Sequence, residues 1–132
     1  MQHMFTTELK SLSLLTSADQ LPMYLKLYVT ILGGKEIIAY PGLHIIEMNH
    51  QSIVELYVEG TDYPDYLFKQ SKQVIGFRTQ QLEKVYEAVK ETGFTILSAI
   101  QQAGDCYSYF HMASPEGEVI SIHQLLNNHN KH

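Results

Sequence analysis

The sequence predicts an α+β fold of two tandem βαβββ modules, and three observations carry the prediction. Residues 9–58 and 73–125 each read as a strand, an amphipathic helix and three further short strands. Each helix leaves through glycine into a short apolar strand, Gly33-Gly34-Lys35-Glu36-Ile37-Ile38 in one module and Gly93-Phe94-Thr95-Ile96-Leu97 in the other. At 132 residues and 45% apolar content the chain can bury one core without disulfide or metal staples. The expectation is a single domain over 1–132, its modules joined by a linker at 59–72.

The first strand, Leu9 to Thr16, alternates apolar and polar residues through Leu14. Ser17-Ala18-Asp19-Gln20 then reads as a capping box, Ser hydroxyl and Gln side chain each reaching an unpaired N–H of the first turn. Leu21, Tyr24, Leu25, Tyr28 and Leu32 form the helix's apolar stripe, Pro22 is tolerated in its first turn, and Gly33 or Gly34 supplies a left-handed stop. Strands follow at Ile37 to Tyr40, His44 to Met48 and Ile53 to Val58, with a turn at Asn49-His50-Gln51 and with His44 and His50 facing solvent.

In the second module the helix is expected from about Gln80 to Thr92, with Leu82, Val85, Tyr86 and Val89 inward and Gly93 as its stop. Strands are expected at Thr95 to Ile100, Cys106 to Met112 and Glu118 to Leu125. Ser114-Pro115-Glu116-Gly117 has the Pro and Gly placement of a type I turn. The linker holds Tyr63, Pro64, Tyr66 and Phe68, and three rings in so short a stretch predict that it packs against a sheet edge. Residues 127–132 read as frayed.

A net charge of -5 with no Lys/Arg cluster argues against nucleic-acid binding. No long apolar run suggests a membrane span, and Met1 to Glu8 lacks the charged and apolar regions of a secretory signal, so the expected location is cytoplasmic. The single Cys106 fits a reducing compartment and reads as a buried, inert thiol. A Gly-rich phosphate loop, a G-x-S-x-G elbow and a C-x-x-C pair are all missing.

Several segments together resemble one known superfamily. Val74-Ile75-Gly76-Phe77-Arg78-Thr79, Leu82-Glu83-Lys84-Val85-Tyr86, Thr92-Gly93 and Tyr109 to Ile120 are similar to the strand, helix, glycine and "F-x-D-P-x-G-x-x-I-E" hairpin of the vicinal oxygen chelate superfamily, with Ser114 where Asp is usual. Leu27 to Gly33 is similar to its "F-Y-x-x-x-L-G", in a helix about two residues longer than the family's. This group includes glyoxalase I, extradiol dioxygenases, fosfomycin-modifying enzymes and bleomycin-resistance proteins. The resemblance implies a curved, partly closed mixed sheet with helices on its outer face and a ligand groove on its concave face.

Carried over residue by residue, the family's metal-ligand positions fall on Ser11, Glu55, Val74 and Ser121. Only Glu55 is a strong donor, whereas a catalytic metal needs about three. Strand parity from those positions assigns the groove lining to Ser11, Ser13, Glu55, Tyr57, Arg78, Tyr107, Tyr109, His111, Ser121 and His123, and turns Phe110 and Met112 toward the helices. A polar and aromatic lining suits a small organic ligand.

The expected function is therefore metal-independent small-molecule binding of the glyoxalase/bleomycin-resistance type, for sequestration or sensing, without a cofactor. Whether the chain is an enzyme stays open, with Ser11, Val74 and Ser121 weighing against it. The alternative is a divergent metal-dependent lyase or dioxygenase holding one Zn, Fe or Mn ion on Glu55, His111 and His123. A third expectation makes the chain an accessory domain whose linker rings dock a protein partner. The resemblance further implies a homodimer.

Overall fold

The computed structural model describes residues 7–126, so the expectations for 127–132 and for the first six residues lie outside the described part. The fold is α+β with mixed strand pairing. In chain order it runs β1 (Thr7–Thr16), α1 (Leu21–Leu25) continuing into a π-helical turn (Lys26–Ile31), β2 (Lys35–Tyr40), β3 (Leu43–Glu47) and β4 (Ile53–Val58). It continues with β5 (Gln73–Thr79), α2 (Leu82–Val89), β6 (Thr95–Ile96), β7 (Gln101–Ala103), β8 (Tyr107–Ala113) and β9 (Val119–Leu125). The described residues form two compact units, Lys10–Val74 and, with Thr7–Leu9, the residues from Ile75 to Leu126.

In the first unit the strand order is β2-β3-β4-β1, with β1 parallel to β4 and the other neighbours antiparallel. Period-2 alternation sends Leu14, Val54, Leu56 and Ile46 to one face, where they bury against Leu21, Tyr24, Leu25, Tyr28 and Val29 of the helix. Each such side chain contributes roughly 1.5–3 kcal/mol by leaving water. Ser17 behaves partly as expected, its Oγ accepting the Gln20 N–H at 3.2 Å, but the helix proper starts only at Leu21.

The helix's extra length is absorbed as a π turn, in which the Leu32 N–H reaches back five residues to the Leu27 carbonyl at 2.9 Å. This widening re-aims the stripe: Tyr28 and Val29 reach the core, while Leu32, expected inward, is 49% exposed. Gly33 is the left-handed stop, at φ +81°. Gly34 is needed for a different reason, since a Cβ there would stand 2.5 Å from Met48 Sδ and 2.8 Å from the Tyr28 carbonyl oxygen. The β3–β4 turn falls at Asn49–Gln51 as expected, with His50 and Gln51 both at positive φ.

In the second unit the order is β5-β9-β8-β6, β7 also pairing with β8, and β5 runs parallel to β9. Leu82 and Val85 of α2 pack on Phe110 and Ile122, joined by Tyr86, Val89 and Met112. Tyr86 meets Phe110 edge to face at 5.0 Å. The helix is shorter than expected at both ends. Gln81 is non-helical (φ -137°, ψ 57°), and Thr79 Oγ1 accepts its N–H. At the other end Thr92 closes the helix, its hydroxyl donating to the Val89 carbonyl at 2.6 Å; Gly93 is not among the positive-φ glycines and does not act as a left-handed stop.

The strand expected at Thr95 to Ile100 is broken. Ile96 pairs with Met112 and Gln101 with Tyr109, so four residues (97–100) stand opposite two (110–111). Leu97 N–H still donates to the His111 carbonyl at 2.9 Å, but the His111 N–H is taken by the Ser98 side chain, whose Oγ accepts at 3.0 Å. The Ser114–Gly117 turn forms as expected, with Gly117 at φ +94° and its N–H on the Ser114 carbonyl at 2.8 Å. Among the described residues no helix is long and apolar enough to cross a membrane.

Candidate functional site

The face of the first unit opposite the helix carries Ser11, Ser13, Glu55 and Tyr57. The parallel β1–β4 register sets Ser13 beside Glu55 and Leu15 beside Tyr57. Ser13 and Glu55 are buried, 2% and 8% exposed, and the Ser13 hydroxyl donates to Glu55 Oε1 at 2.6 Å. A short bond to a charged acceptor is the compensation a buried carboxylate needs. Ser11 is half-buried.

Tyr57, assigned by parity to the ligand groove, is occupied from within the chain. Tyr63 and Phe68 of the linker pack on it edge to face at 5.9 and 5.5 Å and on each other at 5.7 Å. Tyr63 and Phe68 thus cover a residue of β4, which pairs with β3 on one side and β1 on the other, not the sheet edge the sequence suggested. Strand parity could not reveal which residue they meet, because the linker has no period of its own.

In the second unit two rows of side chains cross β5, β9 and β8. Arg78, His123 and Tyr109 are register partners in one row, and Gly76, Ser121 and His111 in the next. Paired residues share a face, so these six stand together with Tyr107, opposite the core that Phe110 and Met112 join. Parity had made this assignment. It had not found Gln101, whose Oε1 accepts from the Tyr109 hydroxyl at 3.3 Å, nor Ser98 behind His111. Ser98 lies in the irregular stretch between β6 and β7, and Gln101 opens the three-residue β7, too short for a periodicity to show.

His111, Ser121, His123 and Tyr107 are buried, whereas Arg78 and Tyr109 are only half-buried. Burial pushes the His111 imidazole down to about 4. Burial pushes His123 down to about 4 as well, with the Arg78 guanidinium adding to the effect. Both rings are neutral near pH 7 and lie against aromatic neighbours, Tyr107 at 5.6 Å from His123 and Tyr109 at 5.2 Å from His111. His123 Nε2 is buried without a hydrogen-bond partner.

The positions implied for metal ligation hold a half-buried hydroxyl (Ser11), a carboxylate already bonded to Ser13 (Glu55), an apolar side chain (Val74, 2% exposed) and a buried hydroxyl (Ser121). Among the described residues no group of three His, Cys, Asp or Glu side chains is placed to hold a metal ion. Of the other singled-out residues, Cys106 is buried and His50 exposed, as expected. His44 is not solvent-facing: its side chain is 17% exposed and pairs with Glu36 at 2.5 Å across the β2–β3 hairpin.

No protein-family model and no curated protein matches the sequence. Solved structures match over nearly the whole chain. One is a glyoxalase/bleomycin resistance protein/dioxygenase superfamily member from Vibrio splendidus 12B01, at 14% identity and TM-score 0.57 over 90% of this chain and 99% of that one. The chain has the vicinal oxygen chelate fold. A methylmalonyl-CoA epimerase, in complex with methylmalonyl-CoA and NH4+, matches with TM-score 0.68 at 12% identity, over 92% of this chain and 96% of that one. A Mn(II)-bound glyoxalase from Novosphingobium aromaticivorans matches with TM-score 0.66 at 12% identity, over 91% of this chain but 39% of that one. At such identities the likeness to these vicinal oxygen chelate structures is one of fold, and the fold hosts more than one chemistry.

Proposed function

We propose that this chain is a metal-independent small-molecule binding protein of the glyoxalase/bleomycin-resistance type, acting by sequestration or sensing. The observation that carries the proposal is the buried, unpartnered Nε2 of His123, on a face shared with Arg78, Ser121 and three aromatic or imidazole rings. A buried polar atom without a partner costs about 1–3 kcal/mol, a deficit that a bound ligand's own polar group removes. The donor set supports metal independence. Serine hydroxyls and a valine stand at three of the four positions where the resemblance implies metal ligands, leaving fewer strong donors than the roughly three a catalytic metal needs, and the remaining carboxylate has a hydroxyl partner.

The test is elemental analysis of purified, dialysed protein. Divalent metal well below one equivalent is the expected result. A stoichiometric, retained Zn, Fe or Mn would overturn the proposal and return the chain to lyase or dioxygenase chemistry.

A further inference from the structure

We infer that the outer stripe of α1 and its π turn is a self-association surface, on which a second copy of this chain packs its own helix antiparallel about a two-fold axis at Leu27. The inference goes beyond the binding function proposed above and does not rest on it. Met23, Leu27, Ile31 and Leu32 are 63%, 38%, 64% and 49% exposed, and among the described residues they are four of the seven large apolar side chains left so far in water. Single exposed apolar side chains are ordinary, whereas a cluster on one face marks a surface that another molecule covers.

The π turn lines these side chains up. In an α-helix of about 3.6 residues per turn the fourth residue along overshoots a full turn, so Leu27 stands to one side of Met23. The turn over Lys26–Ile31 closes from each residue to the fifth beyond it and takes more than four residues to go round, so Ile31 falls short of a full turn from Leu27. The two offsets have opposite sign and cancel. Met23 and Ile31 therefore share one line along the helix, with Leu27 between them and Leu32 beside Ile31.

The ends of the stripe carry opposite charges. Exposed Asp19 lies four residues before Met23, and exposed Lys35 four residues after Ile31, so each is eight residues from Leu27. With two helices antiparallel about Leu27, Met23 meets the partner's Ile31, Leu27 meets the partner's Leu27 and Asp19 meets the partner's Lys35, the self-complementary pattern of a two-fold interface. Both charge pairs then form, and the helix dipoles oppose. Parallel helices would instead set like charges together. Lys26, the only charged residue from Leu21 to Ile31, lies beside the stripe, where its long stem keeps the ammonium in water.

A stripe complementary to itself fits a second copy better than a lipid surface, and a net charge of -5 disfavours an anionic membrane. Four such side chains expose on the order of 300–400 Å², about half of what each partner brings to a standard interface, so the dimer is expected to be weak, with a Kd in the micromolar range.

Sedimentation velocity of the full chain from about 1 to 200 µM is expected to show the mass rising from 15.1 kDa toward twice that value. Ile31→Glu, at a position already in water, should weaken the dimer about tenfold or more and leave the thermal melt unchanged. Met23→Glu serves if that variant does not fold. Asp19→Lys turns two attractive pairs repulsive and should weaken the dimer about fivefold. Asp19→Lys combined with Lys35→Asp restores the pattern with its polarity reversed and should return the Kd to within about twofold of the unaltered chain.

A monomer throughout that concentration range would overturn the inference. So would a dimer equally tight in the folded Ile31→Glu or Met23→Glu variant, which would put the interface on another face, or a double charge variant no tighter than Asp19→Lys. A monomeric chain that binds phosphatidylcholine vesicles and loses them on Ile31→Glu would give the stripe to a lipid surface instead. Metal content is read separately, so none of these outcomes touches the proposed function.

Discussion

Ser13 and Glu55 are neighbours on two parallel strands, and the hydroxyl of one gives its hydrogen to the carboxylate of the other at 2.6 Å inside the protein. Removing the donor leaves a buried charge short of a partner. Ser13→Ala should therefore lower unfolding free energy by about 1–3 kcal/mol in urea titrations. In a Glu55→Gln background the same change should cost measurably less, and equal costs in both backgrounds would show that the pair is not coupled.

The two buried imidazoles make a prediction about acid. Each has a folded-state value lowered from 6.5 to about 4, so the unfolded chain binds more protons between those limits. Their neutral-state stabilisation is complete above about pH 6.5 and is lost as pH falls toward 4. The loss is on the order of 3 kcal/mol for each ring, from 1.36 kcal/mol per pKa unit. Thermal melts at stepped pH should decline steeply across this window, and His123→Phe should flatten the decline. A melting temperature constant from pH 7 to 4 would contradict the burial argument.

The linker rings make a third. Tyr63→Ala and Phe68→Ala each remove two edge-to-face contacts, one of them to Tyr57, and should each cost about 2 kcal/mol in denaturant. The triple variant with Tyr66→Ala should keep the unaltered elution volume in size-exclusion chromatography. A shift in elution would instead mark the linker as a docking surface.

Two glycines that follow their helices in the same way should behave oppositely. Gly34→Ala drives a methyl into Met48, Ile46 and the Tyr28 carbonyl and should destabilise by about 1–3 kcal/mol, the usual cost of overpacking. Gly93→Ala meets nothing within 4 Å and needs no left-handed backbone, so it should be neutral or stabilise by about 0.4–1 kcal/mol. Paired thermal melts separate the two roles.

That contrast also marks how far the sequence could be read. Strand parity assigned Phe110 and Met112 to the helix face and Tyr109, His111 and His123 to the other, because a period of two survives wherever one face must be buried. The same sequence reading gave both helices a left-handed glycine stop, and Gly93 is not one: a threonine hydroxyl can close a helix where a glycine merely follows. Leu32 was placed inward by assuming a period of 3.6, which a π turn does not keep. The Ser13–Glu55 bond needed the register of two strands about forty residues apart, which alternation within each strand cannot supply. The Glu36–His44 pair was missed for a similar reason, since a hairpin's register depends on its turn.

The π turn in the first helix has a consequence for how such a chain can change over time. Surplus length in the first unit is taken up there, and in the second by residues 97–100, where four residues stand opposite two. Both irregularities are away from the β1–β4 and β5–β9 pairs, whose registers run without a slip. Insertions and deletions can therefore accumulate at these two points while the parallel strand pairs keep presenting the same side chains, leaving the face those pairs carry free to vary by substitution alone.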